Sequence, residues 1–445
     1  MQATELWTAW QALLNAYADA FSYWGFRRFS EWITGLALNV EEHTITQSLV
    51  GLDRPGDWKA LESFVEYGAW DADALDLVTA QLLDAAPERL WYGYHVWAGD
   101  DTKVHRSSPN VWGTCTYHEY TARCPNRAST VRAHNWVVVG ALLPRPEQAA
   151  WFLPHTARLY FRQSQLPAGE TFQTKCVLLV GQLRGEAAAV AGKHLAVIDG
   201  GFALRSVVRA LLQPEPGQPR VEVLTRLRRD ACLHARPNAH EAPRRGPKRK
   251  WGQRLSPPRR GGRWPGPWQQ GEAFLYGRRR QVRWKEVVCL WRVAGPDVPV
   301  KAVVAEVDGY RKRFALVSSA TELSGLQLVE LFCARFRQED GFRDLKQRLG
   351  WEEGRAWTKQ PLLRTTQALL VTLSLLRLLQ FRLEATAGDS WWFHPPWNKR
   401  KTRPSVLDLE RLLRQHRGEI LRLLAEAMGT DGKGEPAEAV REAVA

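Results

Sequence analysis

Four residues in the last third of the sequence have side chains that could take part in chemistry. Phe332, Arg335, Glu339 and Lys346 lie in the stretch FCARFRQEDGFRDLK. At about 3.6 residues per turn, their spacing predicts one continuous helix with all four side chains near a single stripe. A solvated helix face, with an i,i+4 pair between Arg335 and Glu339, is the simpler interpretation of the stripe alone. A metal site would need further carboxylates elsewhere in the chain.

Such carboxylates follow two predicted strands. The apolar and aromatic run LWYGYHVWAGDD ends on Asp100 and Asp101, and a short strand from Leu195 to Ile198 ends at Asp199. In sheets that carry helices on their faces, strand ends are where side chains converge on a ligand. The alternative for Asp199 is that it merely caps the helix that follows the two glycines after it.

An aspartate after each of two strands and a glutamate on a later helix form a three-carboxylate set. Hard oxygen ligands of this kind hold Mg²⁺ or Mn²⁺ and leave positions for water and phosphate. Two such ions about 3.5–4 Å apart activate an attacking oxygen and stabilise the leaving oxygen at phosphorus. The set therefore predicts two Mg²⁺ or Mn²⁺ ions as cofactors.

The chain is strongly basic, with 62 Lys and Arg against 47 Asp and Glu in 445 residues, a formal net charge of +15. This charge indicates a polyanionic partner such as nucleic acid or an anionic membrane. The most apolar run, residues 368–381, contains Arg377 and Gln380 and is too short to span a bilayer, so we expect a buried core helix. With six scattered cysteines and no recognisable signal peptide, we expect a cytoplasmic protein without a membrane partner.

Most of the excess charge lies in residues 236–285, where fifteen Lys and Arg face only Glu241 and Glu272. The many Pro and Gly residues predict an exposed loop. Basic residues interleaved with tryptophans suit phosphate neutralisation and base stacking, whereas the alternative is a solvated basic linker. The densest run supplies the predicted DNA contacts Arg244, Arg245, Lys248, Arg249 and Lys250.

The remaining pattern indicates helices first and strands later. Residues 1–88 show helical spacing, with a long helix from Leu6 to Tyr23 and Asp71 as the N-cap of another. Strand-like segments begin at Leu90, and β-branched segments between Asp199 and the Phe332 helix predict a small inserted sheet. Cys115, His118, Cys124 and His134 lack the short Cys-x2-Cys spacing of structural zinc sites, so buried thiols are expected there.

These motifs, in this order, resemble those of DDE transposases of bacterial insertion sequences, in the group with a Y-x2-R-x3-E-x6-K signature. Phe332-x2-Arg335-x3-Glu339-x6-Lys346 matches every step of that spacing, with Phe in place of Tyr. The Asp100-Asp101-Thr102 run is similar to the first-acid motif of the family, and VIDGGF at Asp199 to the second. The resemblance covers about residues 60–410.

The resemblance implies an α/β fold with an RNase H-like catalytic core, a mixed sheet flanked by helices. It also implies an inserted β-rich subdomain. The helical pattern of residues 1–88 predicts an N-terminal helical domain, which is either a small DNA-binding bundle or an ordinary helical domain without groove contacts. The expected organisation is a helical DNA-binding domain at 1–88, the first part of the core at 89–210, a β-rich insertion at 211–322 containing the basic loop, the second part of the core at 323–385 and a C-terminal helical region at 386–445.

The resemblance also assigns roles to residues. Asp101, Asp199 and Glu339 would be the catalytic and metal-binding acids, with Asp100 as the alternative to Asp101, which is preferred because it directly precedes Thr102. Arg335 and Lys346 would contact DNA phosphates at the transposon end. Phe332 would lie in the same DNA contact, without the hydroxyl of the usual Tyr.

The implied activity is metal-dependent cleavage of DNA at the inverted-repeat ends of an insertion sequence, followed by strand transfer into target DNA. The expected partners are these DNA ends, the target DNA and a second copy of the chain in a dimer. Some relatives form a DNA hairpin with a flipped base stacked on Trp, for which Trp284 and Trp291 are candidates. The alternatives are an RNase H-like nuclease without strand transfer and a catalytically silent DNA-binding protein derived from a transposase.

Overall fold

The computed structural model describes residues 2–86, 89–119, 129–145, 148–237, 249–388, 390–399, 401 and 403–427. All strands in these ranges belong to one sheet. They are β1 (Leu90–Trp91), β2 (Tyr94–His105), β3 (Cys115–His118), β4 (Thr130–Leu143), β5 (Trp151–Tyr160), β6 (Lys193–Ile198), β7 (Val221–Arg226), β8 (Leu233–His234), β9 (Gln269–Leu275), β10 (Arg278–Trp291), β11 (Pro299–Val307) and β12 (Phe314–Ser318).

The sheet is mixed. Its strands run in the order β3-β4-β2-β6-β7-β12-β11-β10-β8, with β1 beside β2, β5 beside β4 and β9 beside β10. Among the described strands, only the pairs β2–β6 and β6–β7 are parallel. The central strands read as near-continuous apolar runs because both of their faces are covered. The expected mixed sheet flanked by helices is confirmed.

Helices form the amino-terminal segment and cover the sheet. They are α1 (Ala3–Asn15), α2 (Tyr23–Leu38), α3 (Ser48–Gly51), α4 (Trp58–Tyr67), α5 (Ala72–Asp84), α6 (Lys175–Ala189), α7 (Arg205–Leu212), α8 (Gly325–Ala334), α9 (Arg337–Gln347), α10 (Lys359–Ala387), α11 (Val406–Gln415) and α12 (Arg417–Ala427). Asp71 caps α5 as expected, accepting hydrogen bonds from the N–H groups of Asp73 and Ala74. The predicted helix from Leu6 to Tyr23 is instead two helices, since Ser22 caps a new helix after a 3-10 turn.

The helix α10 is the central helix of the core. Its 29 residues are long and apolar enough to span a membrane by composition alone, but 72% of its most apolar window is buried inside the structure. It packs on β5 and on the amino-terminal helices. The expectation of a buried core helix is confirmed, although the helix extends well beyond the apolar run.

The expectation of a separate small sheet in the insertion is wrong. β10, β11 and β12 continue the main sheet, because β12 pairs with β7. Residues 269–285 are also not a loop, since they belong to the hairpin of β9 and β10. A two-residue turn at Tyr276 and Gly277, both with positive φ, closes this hairpin, and it matches the right-handed twist of the strands.

Candidate active site

The strand register places Asp100 and Asp199 side by side. Parallel strands β2 and β6 pair up to Gly99 opposite Ile198, so the two aspartates are the next residues on neighbouring strands. Asp199 then leaves the sheet in the 3-10 turn Gly200–Phe202 and accepts a hydrogen bond from the Gly201 N–H. The expectation that β2 ends at its acids is wrong, because β2 continues to His105 along β4. The parallel pairing of β2 with β6, in contrast, ends at Gly99, just before the acids.

The pleat of β2 separates the two adjacent acids, since successive side chains point to opposite faces. The Asp101 carboxylate accepts a hydrogen bond of 2.6 Å from Lys175 of α6. Gly99, which shares that face, lies so close to α6 that an added Cβ would be 2.4 Å from Leu179. Asp100 faces the opposite side, toward α8 and α9. The structure therefore brings Asp100, and not Asp101, to the face of the Arg335 guanidinium.

One guanidinium joins the Asp100–Asp199 pair. Arg335 Nη1 lies 3.1 Å from Asp100 Oδ2, and its Nη2 lies 3.5 Å from Asp199 Oδ1. The Phe332 ring lies beneath the same guanidinium, 5.7 Å from its carbon to the ring centroid. Two carboxylates thus converge on a single cation at the end of the parallel pairing.

Burial raises the pKa of Asp100 to about 6, and the negative charges of Asp101 and Asp199 act in the same direction. The Arg335 charge and the Asp101 N–H oppose this shift. The Arg335 charge and the Asp101 N–H therefore offset only part of the cost of ionising the buried Asp100 carboxyl. A divalent cation beside the carboxylate would stabilise that form, as opposite charges within a few ångströms do.

The helix carrying Glu339 is not continuous with the helix carrying Phe332, so the prediction of one helix is wrong. Between α8 and α9, i→i+3 hydrogen bonds at Gln338 and Glu339 replace the helical i→i+4 pattern and tighten the turn. Glu339 consequently lies in the first turn of α9, where the helix dipole favours a carboxylate. Its side chain is exposed and makes no hydrogen bond or ion pair in the described part of the chain.

Gln338 fixes the start of α9 beside the acid pair, and the sequence did not single it out. It is fully buried, and its Nε2 donates 3.2 Å to the carbonyl of Val138, the cross-strand partner of Asp100. The only signal in the sequence was its position next to Glu339.

Within the described ranges, no three His, Cys, Asp or Glu side chains come close enough to one another to hold a metal ion.

Lys346 lies at the far end of α9 and contacts β2. Its Nζ donates to the Lys103 carbonyl at 2.5 Å and lies 3.6 Å from a Glu352 oxygen. Arg335 and Lys346 therefore both contact β2, on either side of Glu339 along the chain. Lys346 stabilises the packing of α9 whether or not it contacts a phosphate.

The tryptophans suggested for base stacking are not available for it. Trp284 and Trp291 both belong to β10 and are only 6% and 5% exposed, because they are part of the core. Four other aromatic rings, one of them the Phe332 ring that contacts Arg335, line a cavity of about 370 Å³. They are Tyr276, Tyr310, Phe314 and Phe332.

The other predicted contacts are only partly visible. Arg244, Arg245 and Lys248 lie outside the described residues, whereas Arg249 and Lys250 are exposed. Of the suggested cysteine and histidine cluster, the structure describes Cys115, His118 and His134. Cys115 is buried as a free thiol, and His134 Nε2 contacts the Trp112 carbonyl. Cys124 also lies outside the described residues.

Comparison with known proteins gives one family. The family model described as DDE superfamily endonuclease matches residues 19–292, which is more than half of the chain. Comparison with curated proteins finds no match. The matched residues include Asp100, Asp101 and Asp199 and end before α8. The mixed sheet flanked by helices is consistent with the RNase H-like fold of DDE enzymes. The chain belongs to the DDE superfamily endonuclease family.

Proposed function

We propose that the protein is a transposase that cleaves DNA at the ends of a mobile element and joins the freed ends to target DNA. The observation that carries this proposal is the pair of carboxylates, Asp100 and Asp199, that converge on one guanidinium. The Y-R-E-K spacing from Phe332 to Lys346 supports transposition within the broader family. The strongly basic composition supports DNA as the partner.

Asp100, Asp199 and Glu339 form the proposed metal-binding set, in which Asp100 replaces the initially preferred Asp101. Enzymes of this family typically use divalent metal ions. The donor chemistry fits, because all three side chains supply hard oxygen ligands. Asp100 and Asp199 already share the positive charge of the Arg335 guanidinium. Bound Mg²⁺ or Mn²⁺, as two ions, would lower the pKa of an attacking water and stabilise the leaving oxygen. Glu339 would complete the set by turning its exposed side chain toward the pair.

We propose that Arg335 contacts one partner before the ions bind and another partner afterwards. Without ions, it neutralises Asp100 and Asp199. With ions bound, its guanidinium is available to a DNA phosphate, for which its planar fork is suited. The Phe332 ring supports the guanidinium in both arrangements, through a cation–π contact that needs no hydroxyl.

The proposed reaction has two displacements at phosphorus. In the first, water attacks the phosphodiester at the element end, the bond from phosphorus to the 3′ oxygen breaks, and a 3′-OH is released. In the second, that 3′-OH attacks a phosphodiester of target DNA, whose own 3′ oxygen leaves. No covalent bond to the protein forms, so the side chains only position the reactants and hold charge.

Cleavage of end-bearing DNA in Mg²⁺ tests this function. Asp199→Asn and Glu339→Gln should each lower the cleavage rate about 100- to 1,000-fold, because ion binding supplies several kcal/mol to the transition state. DNA binding by both variants should stay near that of the wild type. Cleavage at the wild-type rate in either variant would contradict the assignment.

A nuclease without strand transfer is the second candidate. The observation in its favour is that the matched family is described as endonuclease, and cleavage alone satisfies that description. A strand-transfer assay with a pre-cleaved element end and a supercoiled target separates the two. Joined products support the transposase, whereas cleavage without joined products supports the nuclease.

A further inference from the structure

Six exposed cations from three separate chain segments lie together beside the acid pair. We call them the basic edge. They are Arg226, Arg228, Arg229, Arg259, Arg311 and Lys312. The first three end β7 and begin the loop after it, Arg259 lies in a 3-10 turn over β11, and the last two precede β12. Only Arg259 belongs to the basic segment that the sequence emphasised.

Backbone contacts bring these segments together. The Arg259 N–H donates to the Arg229 carbonyl at 3.2 Å, and the Leu227 N–H donates to the Ala315 carbonyl at 2.8 Å. Arg226, Arg311 and Lys312 line one side of the same 370 Å³ cavity. The six cations therefore lie on three chain segments that adjoin one another.

Buried side chains hold the turn that carries Arg259 in place. The buried Lys285 donates hydrogen bonds to the carbonyls of Gly262 and Trp264. The Trp264 indole, also buried, donates to the Ser256 carbonyl at 2.7 Å. A basic turn fixed by buried groups presents its charges in a defined arrangement, unlike a solvated linker.

Within the described part of the chain, no carboxylate pairs with the basic edge. None of its six side chains makes an ion pair or hydrogen bond with another described residue, and the nearby Asp230 and Asp308 are not within ion-pair distance of any cation. Some other exposed cations are paired, including Arg220 with Glu222 and Arg283 with Glu306. Unpaired like charges repel one another, so an anionic partner would stabilise this surface.

The basic edge begins next to Asp199. Strands β6 and β7 are parallel, so Asp199, which directly follows β6, and Arg226, which ends β7, lie at the same edge of the sheet. A Cβ added to Gly200 would lie 3.4 Å from the Arg226 carbonyl oxygen. A polyanion bound along the basic edge is therefore brought to the acid pair.

We infer that the basic edge binds the sugar–phosphate backbone of duplex DNA next to the phosphodiester that is cleaved at the acid pair. The inference rests on the proposed function, since it takes the acid pair to act on DNA. A duplex presents closely spaced phosphates that match several cations along one surface, and releasing its counterions drives binding.

Salt dependence of binding to a labelled mixed-sequence duplex tests the inference. The triple variant Arg228→Gln, Arg259→Gln, Lys312→Gln removes one cation from each segment. The slope of log affinity against log salt should fall by about 3, at roughly 0.9 per lost phosphate contact. Replacing Arg228 and Arg259 by Lys, with Lys312 unchanged, should keep the wild-type slope, because charge is retained.

The matched control removes three exposed cations that have carboxylate partners. The triple variant Arg220→Gln, Arg279→Gln, Arg422→Gln should leave the slope unchanged. An equal fall in both triple variants would overturn the basic edge in favour of a general charge effect. Tighter binding of the matching single strand than of the duplex would overturn the choice of duplex DNA.

The two proposals fail in different ways. If the wild type cleaves DNA but the first triple variant keeps the wild-type slope, the basic edge is wrong and the function stands. If the slope falls as expected but the wild type does not cleave, the surface stands and the catalytic proposal is wrong. Thermal unfolding of each variant checks folding. If the triple variant does not fold, the single variant Lys312→Gln tests the inference instead, and its slope should change by about 1.

Discussion

At the scale of residues, two adjacent aspartates have different environments because a strand alternates its faces. Asp100 is held by Arg335 beside Asp199, whereas Asp101 is held by Lys175 on the other face. The sequence identified both acids, and the resemblance favoured Asp101, with Asp100 as the alternative. It could not show that Asp100 is the acid beside Asp199, because that depends on which face of β2 meets α6 and which meets α9.

Gln338 is the residue on which the position of Glu339 depends most directly. Gln338→Leu keeps a similar volume but removes the hydrogen bond to the buried Val138 carbonyl, which should lower the free energy of unfolding by about 0.5–1.5 kcal/mol. DNA cleavage should fall as well, because α9 loses its fixed start beside Asp100. Chemical unfolding and the cleavage assay measure the two effects.

Gln347 provides the control for this variant. It lies at the exposed end of the same helix, so Gln347→Leu should change neither the unfolding free energy nor the cleavage rate appreciably. Equal effects of the two variants would show that Gln338 has no special positioning role.

At the scale of elements, the close approach of α9 to β5 depends on a glycine. A Cβ added to Gly341 would lie 2.5 Å from the Phe152 ring. The sequence predicted several elements well, including the strand before Asp199 and the N-cap at Asp71. It did not predict the break between α8 and α9, because the backbone stays in the helical region and no Pro or Gly marks the turn.

Gly341→Ala should therefore destabilise the protein by about 1–3 kcal/mol, as overpacking of a buried contact does. Gly185→Ala is the matched change in α6, where nothing lies within 4 Å of an added Cβ. That variant should stabilise the protein by about 0.5–1 kcal/mol, since Ala is the better helix former. Thermal unfolding compares them, and a Gly341→Ala protein as stable as the wild type would refute the packing argument.

At the scale of the whole molecule, one sheet connects the acid pair to the basic edge. The sequence predicted strands in the insertion but placed them in a separate sheet. Pairing of β12 with β7 joins residues about ninety positions apart, and a local pattern cannot reveal such a contact. The excess positive charge is likewise not confined to one loop, because folding brings cations from three segments together. The expected dimer and the expected strand transfer remain predictions.

The central claim is that Asp100 and Asp199, and not Asp101, form the catalytic acid pair with Glu339. Metal-dependent cleavage of DNA by Asp100→Asn and Asp101→Asn, measured side by side in Mg²⁺ and in Mn²⁺, tests it most directly. We predict that Asp100→Asn lowers the cleavage rate about 100- to 1,000-fold, whereas Asp101→Asn stays within about tenfold of the wild type. Loss of cleavage in Asp101→Asn with cleavage retained in Asp100→Asn would contradict the account.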